Sequence, residues 1–159
     1  MDVRYINPFV ESVDSVFSMM VGLKAERSAV KLTDGSANGD TAITGVIGIS
    51  GALNGVVVLR LPSRTAIALA SRMLGTSVAE MGADVFDAIS ELTNMVAGSA
   101  KAKFDVHPPL QLGLPTIVQG SDYRLAYPSN SSWLQIPYTT EEGPFTLDVT
   151  FRRKDEVKK

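Results

Sequence analysis

The stretch ITGVIGISGALNGVVVLRLPSRTAIALASRML, residues 43–74, decides the fold class. It begins with two runs rich in β-branched residues, over 41–50 and 54–61, and the Gly- and Asn-containing segment between them predicts a β-hairpin. A helix follows directly, because Pro62 suits a first turn and Gly75 suits a helix end. Two adjacent strands followed by a helix indicate grouped strands rather than strict strand–helix alternation.

The elements on either side extend this pattern. They are predicted helices over about 8–21 and 82–104, and predicted strands over 24–32, 115–120, 124–137 with a possible break, and 144–153. The order α-βββ-α-α-βββ contains a helix followed by three strands twice. It predicts an α+β fold in which two such halves form an antiparallel sheet with helices packed on one face. Residues 1–153 are expected to form a single domain, and 154–159 a charged, solvated tail.

The composition narrows the class of protein. The chain has 159 residues, of which 45% are hydrophobic and 20% charged, and its net charge is −2. This balance favours a globular domain and provides no positive field for nucleic acid or an anionic membrane. The chain has no cysteine, which excludes disulfides and thiol nucleophiles. Neither a signal peptide nor a run of ~18 apolar residues is evident, so we expect a soluble, cytoplasmic protein with no nucleic-acid or membrane partner.

The third predicted helix has an unusual polar face. Its segment DAISELTNMVAGSAK covers residues 87–101. At helical spacing, five of these residues share one stripe: Asp87, Glu91, Asn94, Gly98 and Lys101. The ordinary interpretation is a solvated helix face. However, Asn94 is a poor helix former in mid-helix, and Gly98 costs the helix ~1 kcal/mol relative to alanine. Both features favour a face shaped for a partner, with Gly98 allowing the partner to approach closely.

The same helix carries a family resemblance. DAISELTNMVAGSAK resembles the signature helix of the CheC/CheX/FliY chemotaxis phosphatases, in which Asp or Ser is followed by Glu four positions later and by Asn three after that. Asp87, Glu91 and Asn94 match this pattern residue by residue. Pro115 is the candidate for the family's downstream proline, at a slightly short spacing. Residues 43–74 also resemble the family's glycine-punctuated hairpin and the helix after it.

The first predicted helix carries an altered copy of the pattern. Asn7, Glu11 and Asp14 keep the spacing, but Asp14 stands where the signature has an amide. An aspartate there would repel a phosphoryl group, whereas an amide can donate a hydrogen bond to water or to a phosphoryl oxygen. CheC proteins carry two signature helices and CheX proteins one. The chain is therefore identified as CheX-like, with one working site and one degenerate copy.

The resemblance implies a function. It implies hydrolysis of the aspartyl phosphate of a CheY-like receiver domain, with Asn94 orienting the attacking water and Glu91 pairing with a lysine of the receiver. It also implies that Asp87 is a flanking docking contact, that Mg²⁺ is bound by the receiver and no cofactor by this chain, and that the chain forms a homodimer. The alternative is a non-enzymatic adaptor that binds receiver domains or flagellar-switch components through the same helix.

Other chemistry finds no support in the sequence. There is no phosphate-binding P-loop, no zinc-binding H-E-x-x-H motif and no plausible Ser-His-Asp set, and we expect no metal site. The lone His107 is expected in a loop or a helix cap. Three methionines are expected to fill the core and two aromatic residues to lie in the core or an interface: Met19, Met20, Met73, Trp133 and Tyr138.

Overall fold

The computed structural model describes residues 3–127 and 132–153, so the predicted tail at 154–159 lies outside the described residues. After a short 3₁₀ turn (Val3–Tyr5), the helices are α1 (Asn7–Val16), continued by a π-helical turn (Phe17–Val21), α2 (Ser63–Leu74) and α3 (Ala83–Lys101). The strands are β1 (Glu26–Arg27), β2 (Lys31–Thr33), β3 (Ile43–Ser50), β4 (Leu53–Leu61), β5 (Gln111–Leu112), β6 (Thr116–Gln119), β7 (Trp133–Thr140) and β8 (Gly143–Arg153).

All eight strands form one antiparallel sheet. Its order is β1-β7-β8-β4-β3-β5, with β2 also paired to β7 and β6 also paired to β3. The long strands β4 and β8 form the centre, and the short strands of each half pair with the middle strand of the other half. This reciprocal exchange is the arrangement expected of two similar units, and it confirms the predicted two-half α+β fold.

The helices cover one face of the sheet, and the main core lies between the two layers. Alternate residues of β4 and β8 point toward the helices and are fully or almost fully buried, as the period-2 pattern requires. On this face Phe145 stacks between Tyr138 and Phe17, with ring centroids 4.9 and 4.7 Å away. The aromatic stack therefore ties the π-helical turn after α1 to the centre of the sheet.

The opposite face carries a buried ion pair that the sequence analysis did not anticipate. Arg60 of β4 pairs with Asp148 of β8, and both side chains are almost completely buried. The Arg60 guanidinium also donates to the Gly35 carbonyl at 2.9 Å, and Gln135 donates to Asp148 at 3.3 Å. Tyr123 reaches the same cluster at 3.4 Å from Arg60. These contacts hold the loops before β3 and before β7 against the sheet.

The bounds of two predicted strands were wrong. The strand over 24–32 is split into β1 and β2, and the pairing register shifts by one residue between them. The break lies opposite Pro137, which has no N–H to donate to the ladder. The strand over 124–137 begins only at Trp133. Residues 124–127 form no strand, because Arg124 makes an isolated bridge to Ser36 and the Leu125 N–H donates to the Gly35 carbonyl at 2.9 Å. The two-residue strand β5 was missed.

Candidate functional site

The polar stripe lies on the solvent side of α3, as predicted. The helix buries Val85, Ala88, Ile89, Leu92, Thr93, Val96, Ala97 and Ala100 against the rest of the protein. On the other side Asp87, Glu91 and Lys101 are exposed, and Asn94 and Gly98 are half-buried. With a rise of about 1.5 Å per residue, the stripe from Asp87 to Gly98 spans about 16 Å along the helix axis.

The half-buried part of the stripe opens into a groove. A hollow of about 400 Å³ lies between α3 and the end of the first helix, and its lining residues are Ser15, Val16, Met19, Met20, Asn94, Met95, Gly98 and Ser99. The structure thus brings Asn94 and Gly98 together in one groove. Asp87 and Glu91 are not among its lining residues, and they lie toward the N-terminal end of α3 on the adjoining exposed surface.

The fold itself does not require glycine at position 98. A Cβ atom there would meet only the Leu112 Cδ1 atom, at 3.9 Å, which is an ordinary van der Waals contact. The backbone is helical, so alanine would be the more stable choice. Gly98 therefore lowers helix stability with no packing reason inside the chain, and the consequence is a flat groove floor one turn from Asn94.

The three signature side chains have no partner within the part of the chain that the structure describes. Across residues 3–127 and 132–153, no hydrogen bond or ion pair involves the side chains of Asp87, Glu91 or Asn94. The Asn94 amide can donate two hydrogen bonds and accept others, whereas an ionised carboxylate only accepts. The surface therefore presents two carboxylates and one unoccupied amide to whatever docks on it.

The copy of the pattern on α1 lies in different surroundings. Asn7, Glu11 and Asp14 are exposed on α1, and Asp14 lines a separate hollow of about 790 Å³ with the charged residues Lys24, Glu26 and Arg27 among its other lining residues. Burial raises the pKa of the Tyr138 hydroxyl, and the Asp14 carboxylate raises it further. This hollow has a carboxylate where α3 has an amide, so the two helices do not present the same chemistry.

Two methionines were placed wrongly by the sequence analysis. Met19 and Met20 were expected in the core, but they are 80% and 53% exposed. The π-helical turn buries Phe17 and Val21 and leaves the three residues between them outside. A sequence signal was present, because Phe17 and Val21 are themselves spaced one helical turn apart. Met73, Trp133 and Tyr138 pack in the interior as predicted.

Two further residues that the sequence singled out lie in loops outside the groove. His107 is exposed in the loop after α3, as predicted, and Pro115 lies directly before β6. Within the described residues there is no group of three or more His, Asp or Glu side chains that could hold a metal ion. No helix in that part of the chain is both long and apolar enough to traverse a bilayer.

Known proteins resemble this chain in both sequence and fold. Residues 43–139 match the family described as chemotaxis phosphatase CheX. The chain is 27% identical over 127 residues to the CheY-P phosphatase CheX of Thermotoga maritima, covering 79% of this chain and 81% of that protein. A CheC-like superfamily protein from Shewanella sp. PV-4 has a TM-score of 0.84 at 26% identity, covering 96% of this chain and 99% of that one.

A further solved structure shares the fold alone. It is the CheX–CheY–BeF₃–Mg²⁺ complex from Borrelia burgdorferi, with a TM-score of 0.79 at 16% identity, covering 96% of this chain and 100% of that one. The match to the family spans more than half of this chain and includes the whole of α3 with its polar stripe. This protein therefore belongs to the chemotaxis phosphatase CheX family.

Proposed function

We propose that this protein hydrolyses the aspartyl phosphate of a CheY-like receiver domain and that α3 forms its active surface. Family membership supports a phosphatase, and the similar Thermotoga protein is a CheY-P phosphatase. The observation that carries the proposal is the Asn94 amide, which is half-buried in a groove and makes no hydrogen bond to any described residue. An amide with no role beyond solvation would be expected on the open surface rather than half-buried in a groove.

The proposed reaction requires little of the enzyme beyond positioning. Water attacks the phosphorus of the receiver's aspartyl phosphate, and the bond from phosphorus to the carboxylate oxygen breaks. The aspartate carboxylate is regenerated on the receiver, and inorganic phosphate leaves with the oxygen and the protons of the water. In-line placement of the water is the main contribution that a protein can make to such a transfer. The Asn94 carbonyl oxygen can accept a hydrogen bond from this water, while its NH₂ group donates to a phosphoryl oxygen.

Glu91 has a different proposed role. It lies one turn before Asn94 on the same face, it is exposed, and no ion pair inside the described chain occupies its carboxylate. We assign it to a lysine on the receiver, which would fix the approach of the phosphoryl group toward Asn94. Asp87, one further turn away, is assigned to a flanking docking contact.

Mg²⁺ enters the proposal as a component of the receiver. The Borrelia complex contains CheY, BeF₃ and Mg²⁺ together with CheX. A metal ion on the receiver supplies positive charge to the phosphoryl oxygens. The residues of this chain would then contribute the amide, the docking carboxylates and the groove.

The test is phosphate release under turnover conditions. CheY-like receivers from the same genome are phosphorylated with acetyl phosphate, freed of excess donor, and followed with Mg²⁺ in the presence of a substoichiometric amount of this chain. We expect at least one receiver to lose phosphate many times faster than it does alone, with each enzyme molecule acting repeatedly. If the chain binds phosphorylated receivers but accelerates phosphate loss from none, the proposal fails and the adaptor function replaces it.

A further inference from the structure

The π-helical turn displays two adjacent methionines at the proposed active surface. Phe17 and Val21 are buried at the two ends of the turn, and Phe17 is held by stacking on Phe145 at 4.7 Å. Met19 and Met20 lie between them and project into solvent, with 80% and 53% exposure. The turn ends the first helix at Gly22, whose φ is +75°, and it leaves an exposed apolar pair between its two buried ends.

These two methionines form one wall of the groove described above, which we call the methionine groove. Met95 and Gly98 of α3 line it from the other side, and Asn94 lies among the same lining residues. Its lining residues in the described part of the chain include no charged side chain. Its volume of about 400 Å³ is ample for one or two side chains.

We infer that the methionine groove receives an apolar side chain of the phosphorylated receiver and that Met19 and Met20 contribute to the choice of receiver. The inference rests on the proposed function, because it takes the receiver as the partner. The groove and the proposed catalytic amide are continuous, so a receiver that presents its phosphoryl group to Asn94 also covers the groove. A charged side chain would lose its hydration there without a compensating ion pair, which favours an apolar occupant.

The chemistry of the wall suits discrimination among related partners. Methionine side chains are flexible and polarisable, and they adapt to apolar partners of different shape. Met19 and Met20 also lie outside residues 43–139, the segment that matches the family, whereas Asn94 and Gly98 lie within it. The proposed catalytic amide thus lies inside the segment that the family model describes, and the methionine wall lies outside it.

A second copy of this chain is the competing occupant. A dimer that buried Met19 and Met20 would also cover Asn94 in the same groove. Such a dimer would exclude the receiver from the amide, so it conflicts with the proposed function. The receiver is therefore the occupant that agrees with both the groove and the stripe.

The experiment replaces the two methionines of the groove wall with polar side chains of similar length. The variant Met19→Gln/Met20→Gln keeps the side-chain length and the helix propensity. Leu74→Gln is the matched control, since Leu74 is a 49% exposed helical residue at the end of α2 and is not a groove residue. Each protein is titrated with CheY-like receivers from the same genome that carry BeF₃⁻ and Mg²⁺, and then assayed for KM and kcat. Light scattering records the oligomeric state, and circular dichroism the folding.

We expect the double variant to bind its receiver at least about tenfold more weakly, since full burial of one methionine side chain already corresponds to about that factor. KM should rise with it, while kcat at saturation stays within about twofold, because the groove acts in binding and Asn94 in the chemical step. The Leu74→Gln control should match the unmutated chain.

The remaining outcomes distinguish failure of the groove inference from failure of the proposed function. Equal receiver affinity for the double variant and the Leu74→Gln control overturns the inference. A double variant that becomes monomeric without losing receiver affinity also overturns it, since the groove would then join two copies. If the unmutated chain binds receivers but never hydrolyses their phosphate, the proposed function fails while the titration still decides the groove. If it binds none of them, both are wrong.

Discussion

Gly45 of β3 lies directly beneath Thr93 of α3, so close that a Cβ atom at Gly45 would overlap the threonine hydroxyl. The Thr93 side chain is buried, and its hydroxyl donates to the Ile89 carbonyl at 2.7 Å. Thr93 immediately precedes Asn94, so the missing side chain of Gly45 determines how near to the sheet this part of α3 can lie. The fold and the proposed active surface are thus linked through one close contact.

We expect Gly45→Ala to destabilise the protein by about 1–3 kcal/mol, because the added methyl group overpacks the contact with Thr93. Gly48→Ala on the same strand is the matched control. A Cβ atom at Gly48 would meet nothing within 4 Å, so this change should be neutral or stabilise by up to about 1 kcal/mol. Urea denaturation of both variants checks the difference, and equal stabilities would show that the contact does not limit the packing of α3.

Glu91→Ala should weaken recognition of the phosphorylated receiver without affecting folding. Glu91 is exposed and has no partner among the described residues, so its removal should change stability by no more than about 0.5 kcal/mol. Glu80→Ala is the control, because it removes the same charge from an exposed loop position outside α3. Titration with a BeF₃⁻-loaded receiver and thermal melting are compared for the two variants. A large fall in melting temperature for Glu91→Ala alone would mean that Glu91 is structural.

Gly98→Ala should raise the stability of the protein and lower its affinity for the receiver. The helix should gain about 1 kcal/mol, since the methyl group has room inside the chain. The same methyl group fills the groove floor, and receiver affinity should fall at least about fivefold, the factor that corresponds to mild overpacking. Thermal melting and receiver titration on one preparation measure both effects. Unchanged affinity would remove Gly98 from the docking surface.

The sheet edges lead to a prediction about assembly. The short strands β1, β2, β5 and β6 form its two edges, and an open edge can pair with a second chain. Leu32 on β2 is an exposed apolar side chain at one of these edges. We expect a homodimer in which the sheets join edge to edge, which multi-angle light scattering would detect. A monomer across the micromolar range would contradict this prediction.

Much of this architecture could be predicted from local sequence signals. The hairpin of β3 and β4 follows from alternating β-branched residues around a glycine-containing turn, and α3 follows from apolar spacing at a helical period. The stripe of Asp87, Glu91 and Asn94 was predicted from the same period, because residues three or four apart share a helix face. These features depend only on residues near one another in the chain.

Features that depend on distant residues were missed. The Arg60–Asp148 pair joins residues on two strands far apart in sequence, and no local pattern shows that both face a covered surface. The split between β1 and β2 depends on Pro137 in the neighbouring strand. The exposed methionines are a different kind of error, because the local spacing of Phe17 and Val21 indicates the buried face and Met19 and Met20 lie between them.

The water-orienting role proposed for Asn94 is tested by replacing its side chain. Asn94→Ala removes one amide and leaves a better helix former, so the free energy of unfolding should stay equal or rise slightly. Receiver binding should persist, but dephosphorylation should slow by about 100-fold or more, as for other single positioned polar groups. Asn94→Asp should be at least as damaging, because it places a negative charge beside the phosphoryl group. Asp14→Ala, at the corresponding position of α1, is the matched control and should leave the rate unchanged.

The measurement is the single-turnover rate of phosphate loss from a radiolabelled receiver, with the enzyme variant in saturating excess over its Kd. Saturation separates the chemical step from binding, so a change in rate reports on the positioning of water alone. Asn94→Ala should release phosphate about 100-fold more slowly than the unmutated chain or slower still, and Asp14→Ala should release it at the unmutated rate. If Asn94→Ala dephosphorylates the bound receiver as fast as the unmutated chain, Asn94 does not position the water.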